Sequence, residues 1–424
     1  MEAPLASPHD PVSNPASDDD WLALELDIRD LFTPAGPIDE EQLFAGRQAQ
    51  IRQLLEATIE RSRHAVLFGE RGVGKTSLAN IFWRRFSKRL QTIVAARIQA
   101  DPSDNFSSLW SKALRELKAV ADAIGKGNLV PLSGEYGTLS PDDVRIELQK
   151  CKPNSLPIII IDEFDKLEKG QTIELTANTI KYLSDYGLNC TIVIVGVAES
   201  LSDLIEEHGS IRRCIVQIPL ERMKDRELSE VIESRLKQTP MKIEGIALTK
   251  IIILARGLPF YVHTLAKYAA ISATDDRRLM INEEDVDRAM DFFIGETTQT
   301  FYDDYQKATN SPQPGNLFKH VLLACAIAET DENGFFTPAN VVPALSKILK
   351  REVEIATFQR HLNEFSSKDR GEILVRRGAT RQYRFRFKDP MMQPYIIMKG
   401  IRENMVDEST RAILSVPEQP ALPI

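Results

Sequence analysis

From residue 64 to residue 218 the chain alternates between short, nearly unbroken apolar runs and longer stretches of helical period. The runs, 65–68, 93–98, 158–161, 191–197 and 214–218, are rich in Val and Ile and show little polar alternation. A strand that is wet on one face alternates apolar and polar residues, so unbroken runs predict strands buried on both faces. That requires a parallel sheet covered by helices on each side. The segments between the runs, 76–90, 105–124, 141–150, 172–186 and 200–208, carry the matching helical period, while 125–140 reads as a loop.

After Pro219 the strand pattern stops, and helices are predicted at 224–238, 246–255, 259–273 and 283–293. The polar stretch 306–315 holds two prolines and marks a domain boundary. Beyond it, helices at 317–329, 338–349 and 355–365 precede two strand-like runs, 372–377 and 381–387, joined by Gly378-Ala379-Thr380. Three helices followed by a hairpin is the order of a winged helix. At the other end, residues 1–20 are rich in Pro, Ser and Asp and read as a disordered leader, and 21–32 have the spacing of a short helix. A Pro/Gly break at 33–37 precedes an amphipathic helix at 48–61, and the residues after Asn404 form a Pro-rich tail.

An apolar fraction of 43% in 424 residues supports cores for two to three domains and excludes a wholly disordered or fibrous chain. No apolar run approaches the ~20 residues of a membrane-spanning helix, and residues 1–20 lack the pattern of a signal peptide. A cytoplasmic protein without membrane partners is therefore expected. Cys151, Cys190, Cys214 and Cys325 have no metal-type spacing, which predicts reduced, packed thiols. The net charge of −8 argues mildly against a nucleic-acid coat. The balance is uneven, however: residues 317–404 hold 15 Lys and Arg against 10 Asp and Glu, a net of +5.

The stretch Gly69-Glu70-Arg71-Gly72-Val73-Gly74-Lys75-Thr76 matches the phosphate-binding loop pattern G-x-x-x-x-G-K-[ST] at every position. It directly follows an apolar strand and opens a helix, as the mechanism needs. Gly72 and Gly74 let backbone amides curl around phosphate oxygens, with the helix start through Ser77 completing the cradle. Lys75 is expected to reach the β- and γ-phosphates, and Thr76 to offer its hydroxyl to Mg²⁺. The second signature is Ile158-Ile159-Ile160-Ile161-Asp162-Glu163, a buried strand ending in two carboxylates. At the carboxyl edge of a parallel sheet these fall beside the phosphates. Asp162 is expected to bind the Mg²⁺ hydration shell, and Glu163 to orient and polarise the attacking water. The bland alternative for such carboxylates is helix capping.

Together with Asp162-Glu163-Phe164-Asp165-Lys166-Leu167, these motifs resemble the AAA+ ATPases, in the branch that holds origin-recognition and replication-initiator ATPases and their transposition-regulator relatives. STAND signalling ATPases share much of the layout. The resemblance spans residues 43–273 and, more loosely, the C-terminal region. Phe44-Ala45-Gly46-Arg47 is similar to the segment that those proteins use to approach adenine. The polar sensor after their fourth strand corresponds to Glu199 or Ser200 here, without the usual Asn or Thr, and a helix cap is the other reading of Ser200. The resemblance implies an arginine finger before the fifth strand, where Arg213 matches best and Arg212 second; a surface arginine pair is the plain alternative. Gly257-Leu258-Pro259-Phe260 is nearer in wording to STAND proteins, and Phe260 stands where the initiator branch has an arginine. His263 is read as a packed core histidine, with a nucleotide contact as the alternative.

In the C-terminal hairpin Tyr383, Phe385 and Phe387 alternate with Arg384 and Arg386, while Arg376, Arg377, Arg381 and Lys388 add charge. One face is predicted aromatic and packed, the other cationic and open to phosphates. A solvated edge strand or a protein-docking face is the alternative. The expected fold is an α/β P-loop NTPase parallel sheet of AAA+ type, followed by an all-α lid and a C-terminal winged helix. Its expected parts are a leader with a short helix (1–32), an ATPase domain (33–220), a lid (221–305), a winged-helix-like domain (316–404) and a tail (405–424). ATP and Mg²⁺ are the expected cofactors, and a homo-oligomer or partner protein the expected assembly. The expected function is an ATP-hydrolysing switch whose winged helix contacts DNA. The alternative is a STAND-like regulatory or anti-phage defence ATPase whose C-terminal module docks a partner protein.

Overall fold

The computed structural model describes residues 14–34, 46–86, 92–168, 170–197, 211–296, 299–313, 315–331, 333–379 and 382–406. The chain forms two compact units, Gly36–Glu221 and the pair of segments Met1–Ala35 and Arg222–Ile424.

The first unit is built on five parallel strands, β1 (His64–Gly69), β2 (Thr92–Gln99), β3 (Ser155–Asp162), β4 (Thr191–Gly196) and β5 (Ile215–Leu220), in the order β2-β3-β4-β1-β5. Each unbroken apolar run of the sequence falls on one of them. Val66, Ile159, Ile161, Ile192 and Ile194 share one core with Trp110, Leu114, Ile173 and Ile180. Those partners belong to α4 (Phe106–Ala123) and α6 (Gln171–Asp185), with α5 (Pro141–Gln149) packed beside them. The other face is covered by α2 (Gln48–Ile59) against β5 and by α3 (Lys75–Ile81) against β1 and β4. Burial on both faces is why the strand sequences do not alternate. Local sequence sets the helix starts: the Asn105 and Ser140 side chains accept from the amides of Ser108 and Asp143, with Pro141 in the first turn of α5. The helix predicted over 76–90 is shorter, ending at Ile81 and tightening into a 3₁₀ turn over Phe82–Phe86. The helix predicted over 200–208 lies outside the described residues, as does part of the linker at Thr380 and Arg381.

In the second unit α1 (Asp18–Leu31) packs on helices that follow more than two hundred residues later. The helices after β5 are α7 (Asp225–Leu236), α8 (Gly245–Ala255), α9 (Pro259–Asp275), α10 (Glu283–Glu296) and α11 (Gln299–Thr309), and α1 packs on α9 and is bonded by Arg235 of α7. Leu24, Ile28 and Phe32 are buried, Arg235 Nε donates to the Leu31 carbonyl at 3.0 Å, and Lys267 Nζ donates to that of Arg29 at 3.3 Å. The carbonyls that end α1 are thus taken up by cations. Strands β6 (Lys242–Ile243) and β7 (Met280–Ile281) pair in parallel where only helices were expected, because two-residue strands leave no readable period. Helix α11 also reaches Thr309, into the polar stretch at 306–315.

The last part holds α12 (Phe318–Ile327), α13 (Pro338–Leu349), α14 (Ile355–Phe365), the antiparallel hairpin β8 (Leu374–Arg377) with β9 (Arg384–Phe387), and α15 (Met392–Arg402). Phe336, ahead of α13, forms an antiparallel bridge with Phe385. Phe385 and Phe387 are buried against Phe336, while Arg384 is exposed. Gln393 of α15 is buried, accepts from Arg222 at 2.6 Å and donates to the Ala326 carbonyl at 2.8 Å. All four cysteines are unpaired and three are buried. No helix among the described residues is long and apolar enough to cross a membrane.

Candidate functional site

Strand β4 lies between β1 and β3, so the carboxyl ends of β1 and β3 stand about 10 Å apart at the usual strand spacing. The register keeps them level, pairing Phe68 with Gly196 and Ile161 with Ile194. The loop from Gly69 to Thr76 leaves one end, and Asp162-Glu163 leaves the other.

In the loop, Gly72 (φ 82°) and Gly74 (φ 92°) adopt the left-handed conformation that a side chain disfavours. Val73 between them is buried, while Arg71 is exposed and Glu70 and Ser77 are half-buried. The Lys75 ammonium donates to the Gly69 carbonyl at 3.0 Å and to the Glu70 carbonyl at 2.7 Å. Burial lowers its pKa from 10.5 to about 8, although Asp165 and Asp162 pull it up. The loop therefore carries a cation that is short of anionic partners. Thr76 Oγ1 donates to Asp162 Oδ2 at 2.8 Å. Two residues 86 positions apart are thereby joined across β4, with Asp162 only 2% exposed. A hydroxyl and a carboxylate placed together are hard oxygen ligands of the kind that Mg²⁺ selects.

Glu163 has φ 54°, a left-handed conformation rare outside glycine, and its amide donates to Asp162 Oδ1 at 2.9 Å. Its carboxylate accepts from Lys166 Nζ at 2.6 Å, in a pair where both side chains are more than a third exposed. Two nearby residues in the quoted motif have structural roles that spacing did not assign. Lys166 is the partner of Glu163, and Asp165 Oδ1 accepts from the Val197 amide at 3.1 Å, fastening the turn after β3 to the end of β4. Their membership of the Asp162–Leu167 stretch was the available signal.

Arg47, at the start of α2, is buried, and its guanidinium donates to the carbonyls of Val73 at 3.4 Å and Glu221 at 2.5 Å. It thus braces the phosphate loop from behind, while Phe44 and Ala45 lie outside the described residues, as do Glu199 and Ser200. Arg213 precedes β5 and therefore lies at the amino edge of the sheet, opposite the phosphate loop. With six residues in β5 the two ends are ~20 Å apart. Its exposed guanidinium pairs with Asp185 at the end of α6, so the structure does not bring it to its own chain's Lys75 and Asp162.

In the second unit His263 is buried, meets Phe32 edge-on and is held neutral by burial, with its pKa pushed down to about 3. That is the core histidine, not a nucleotide contact. Phe260 packs edge-on against Tyr261 and Phe293. Gly257 (φ 80°) sits where a Cβ would come within 2.6 Å of Arg222 Cβ, which accounts for the glycine ahead of Leu258-Pro259.

Comparison with known proteins fits this arrangement. No curated protein matches the sequence. The fold is similar to that of the Walker-type ATPase of Pyrococcus abyssi, at 15% identity and a TM-score of 0.50, covering 86% of this chain and 99% of that one. Similar too are the Aeropyrum pernix ORC1 protein, solved in complex with DNA (16%, TM-score 0.48, 88% and 96%), and the Thermotoga maritima RuvB Holliday junction branch migration motor (19%, TM-score 0.43, 83% and 95%). The likeness to the Walker-type ATPase shows the expected α/β parallel-sheet fold. The family described as Novel STAND NTPase 1 matches residues 37–287, more than half of the chain and all of both signatures, and the protein belongs to it.

Proposed function

We propose that the protein is an ATP-dependent switch that hydrolyses ATP with Mg²⁺. The observation that carries this reading is the 2.8 Å contact between Thr76 and Asp162, which joins the two signatures in one place. Gly69 to Ser77 would cradle the phosphates, and Lys75 would leave its loop carbonyls for the β- and γ-phosphates. Thr76 and Asp162 would hold Mg²⁺, which neutralises phosphate charge when bound. Glu163 would exchange Lys166 for a water and orient it toward the γ-phosphorus. Arg213, facing away from its own loop, would serve a neighbouring copy in a homo-oligomer, where a guanidinium offsets charge developing on the γ-phosphate. In this reading residues 33–220 are the ATPase domain, 221–305 the lid and 316–404 a winged helix, in a cytoplasmic protein.

The winged-helix assignment is supported by three helices before the β8–β9 hairpin and by the third-strand bridge from Phe336. We propose that this hairpin contacts DNA through Arg376, Arg377 and Arg386, with Arg384 flanking them. A second reading, a docked partner protein, is favoured by the pairing of Arg384 with Asp331 and of Lys388 with Glu372, which offsets charge that phosphates would use. Membership of a STAND family supports it as well.

The test is turnover by the purified full chain with Mg²⁺, with and without duplex DNA, beside Lys75→Ala and Glu163→Gln. Wild-type turnover no higher than in these variants refutes the enzyme. DNA binding that weakens with salt and is lost in the Arg376→Ala, Arg377→Ala, Arg386→Ala triple variant supports the DNA contact. No DNA binding at low salt removes it and leaves the docking reading.

A further inference from the structure

Between α4, α6 and residues 137–139 the first unit holds a cavity of about 650 Å³. That is within the ~300–1,000 Å³ of small-molecule sites. Phe106, Leu139 and Leu175 supply apolar wall, and hydroxyl, amide and cationic side chains from α4, α6 and Thr138 line most of the rest. Ser111 lines it at 8% exposed, and its hydroxyl has no hydrogen-bond partner among the described residues. One turn further, Arg115 lines the same cavity with no carboxylate partner among the described residues. Lys112 adds a second cation, held by Asp104 at 2.6 Å, and Thr138 and Thr172 add hydroxyls. No acidic side chain among the described residues lines the cavity, although the chain has 61 acids against 53 bases. The cavity therefore presents hydroxyls and two cations, the exposed Arg115 and the Asp104-paired Lys112, beside an apolar wall.

We propose that it binds a phosphate ester of nucleotide size, at a site distinct from the phosphate loop, none of whose residues lines it. Arg115 and Ser111 take phosphoryl oxygens, a geometry that a guanidinium fork suits, and the organic part lies against Phe106 and Leu175. The pocket opens where α4 and α6 begin, near the carboxyl edge at which the Ala100 amide donates to the Asp162 carbonyl at 2.9 Å.

The full chain is first saturated with Mg²⁺ and a non-hydrolysable ATP analogue, a titration that reads the phosphate loop by itself. AMP is then titrated into that complex by calorimetry. One further AMP per chain is expected, weakened about tenfold or more in Arg115→Ala and about threefold in Ser111→Ala, with inorganic phosphate competing. Absence of saturable AMP binding, or binding that Arg115→Ala leaves unchanged, overturns the proposal. So does a sedimentation mass showing a dimer that Arg115→Ala dissolves while AMP does not bind, since the cavity is then an interface between copies. Failure of the analogue to bind counts against the phosphate loop alone, because Arg115→Ala still reads the second site.

Discussion

Binding of ATP should be coupled to the uptake of a proton by Lys75. The perturbation is the arrival of a polyphosphate beside an ammonium whose pKa has fallen from 10.5 to about 8. That fall corresponds to about 3 kcal/mol against the charged form. At pH 8.5 a group with this pKa carries its proton roughly a quarter of the time, so binding that restores the full charge takes up about three quarters of a proton. At pH 6.5 Lys75 is already charged and takes up almost none. The affinity for ATP should accordingly fall as pH rises above about 8, by up to tenfold per pH unit. Calorimetry in buffers of different ionisation enthalpy reads the proton count as a slope, and phosphate groups, which titrate near pH ~6, do not confuse it at pH 8.5. Lys75→Arg stays protonated and should show no uptake. A wild-type slope of zero at pH 8.5, or equal slopes in wild type and Lys75→Arg, would refute the reasoning.

Thr76→Val removes the hydroxyl without changing the shape of the side chain. Nucleotide binding should lose most of its Mg²⁺ dependence, read as equal affinity with and without a chelator, and the fold should lose about 1 kcal/mol for the broken hydrogen bond. Arg213→Ala and Glu163→Gln should each abolish turnover but regain part of it when mixed, because an intact glutamate then meets a neighbour's intact arginine; unchanged inactivity of the mixture counts against a role across an interface. His64, at the start of β1, accepts from the Ile192 amide at 3.0 Å and is held neutral by burial, its pKa pushed down to about 3. The unfolded chain takes up this proton below about pH 6.5 while the folded chain does not, so stability is full above that pH and is lost as pH falls toward 3. Denaturant titration of His64→Asn should show a pH slope shallower by about 1.4 kcal/mol per pH unit between about pH 6 and 4.5.

Some of the candidate site was legible because its chemistry is local. A glycine-rich turn between strand and helix needs residues close in sequence, and Gly72, Gly74 and Lys75 declare it. Asp162 was legible as the end of a buried strand. Its contact with Thr76 was not, since 86 residues separate them and the insertion of β4 between β1 and β3 decides that they meet. The same holds for charge. The sequence shows Arg384 and Lys388 as cations on a hairpin, but Asp331 and Glu372, which pair with them, are brought there by the turn before Phe336 and by the hairpin register.

By itself, the sequence determined the five strands, most helices and the phosphate loop, since burial on both faces and helical period are written residue by residue. Only the tertiary structure decided that α1 belongs with helices two hundred residues away. Arg235 and Lys267 take its terminal carbonyls, and neither pattern nor spacing in residues 18–31 names those partners. It also placed Arg213 at the sheet edge away from its own loop, gave Glu163 the companion Lys166, and gathered Ser111 and Arg115 with Thr138 and Thr172 around one cavity. Local preference sets what each segment becomes. Which segments meet depends on how all their apolar faces are buried at once, and no window along the chain contains that information.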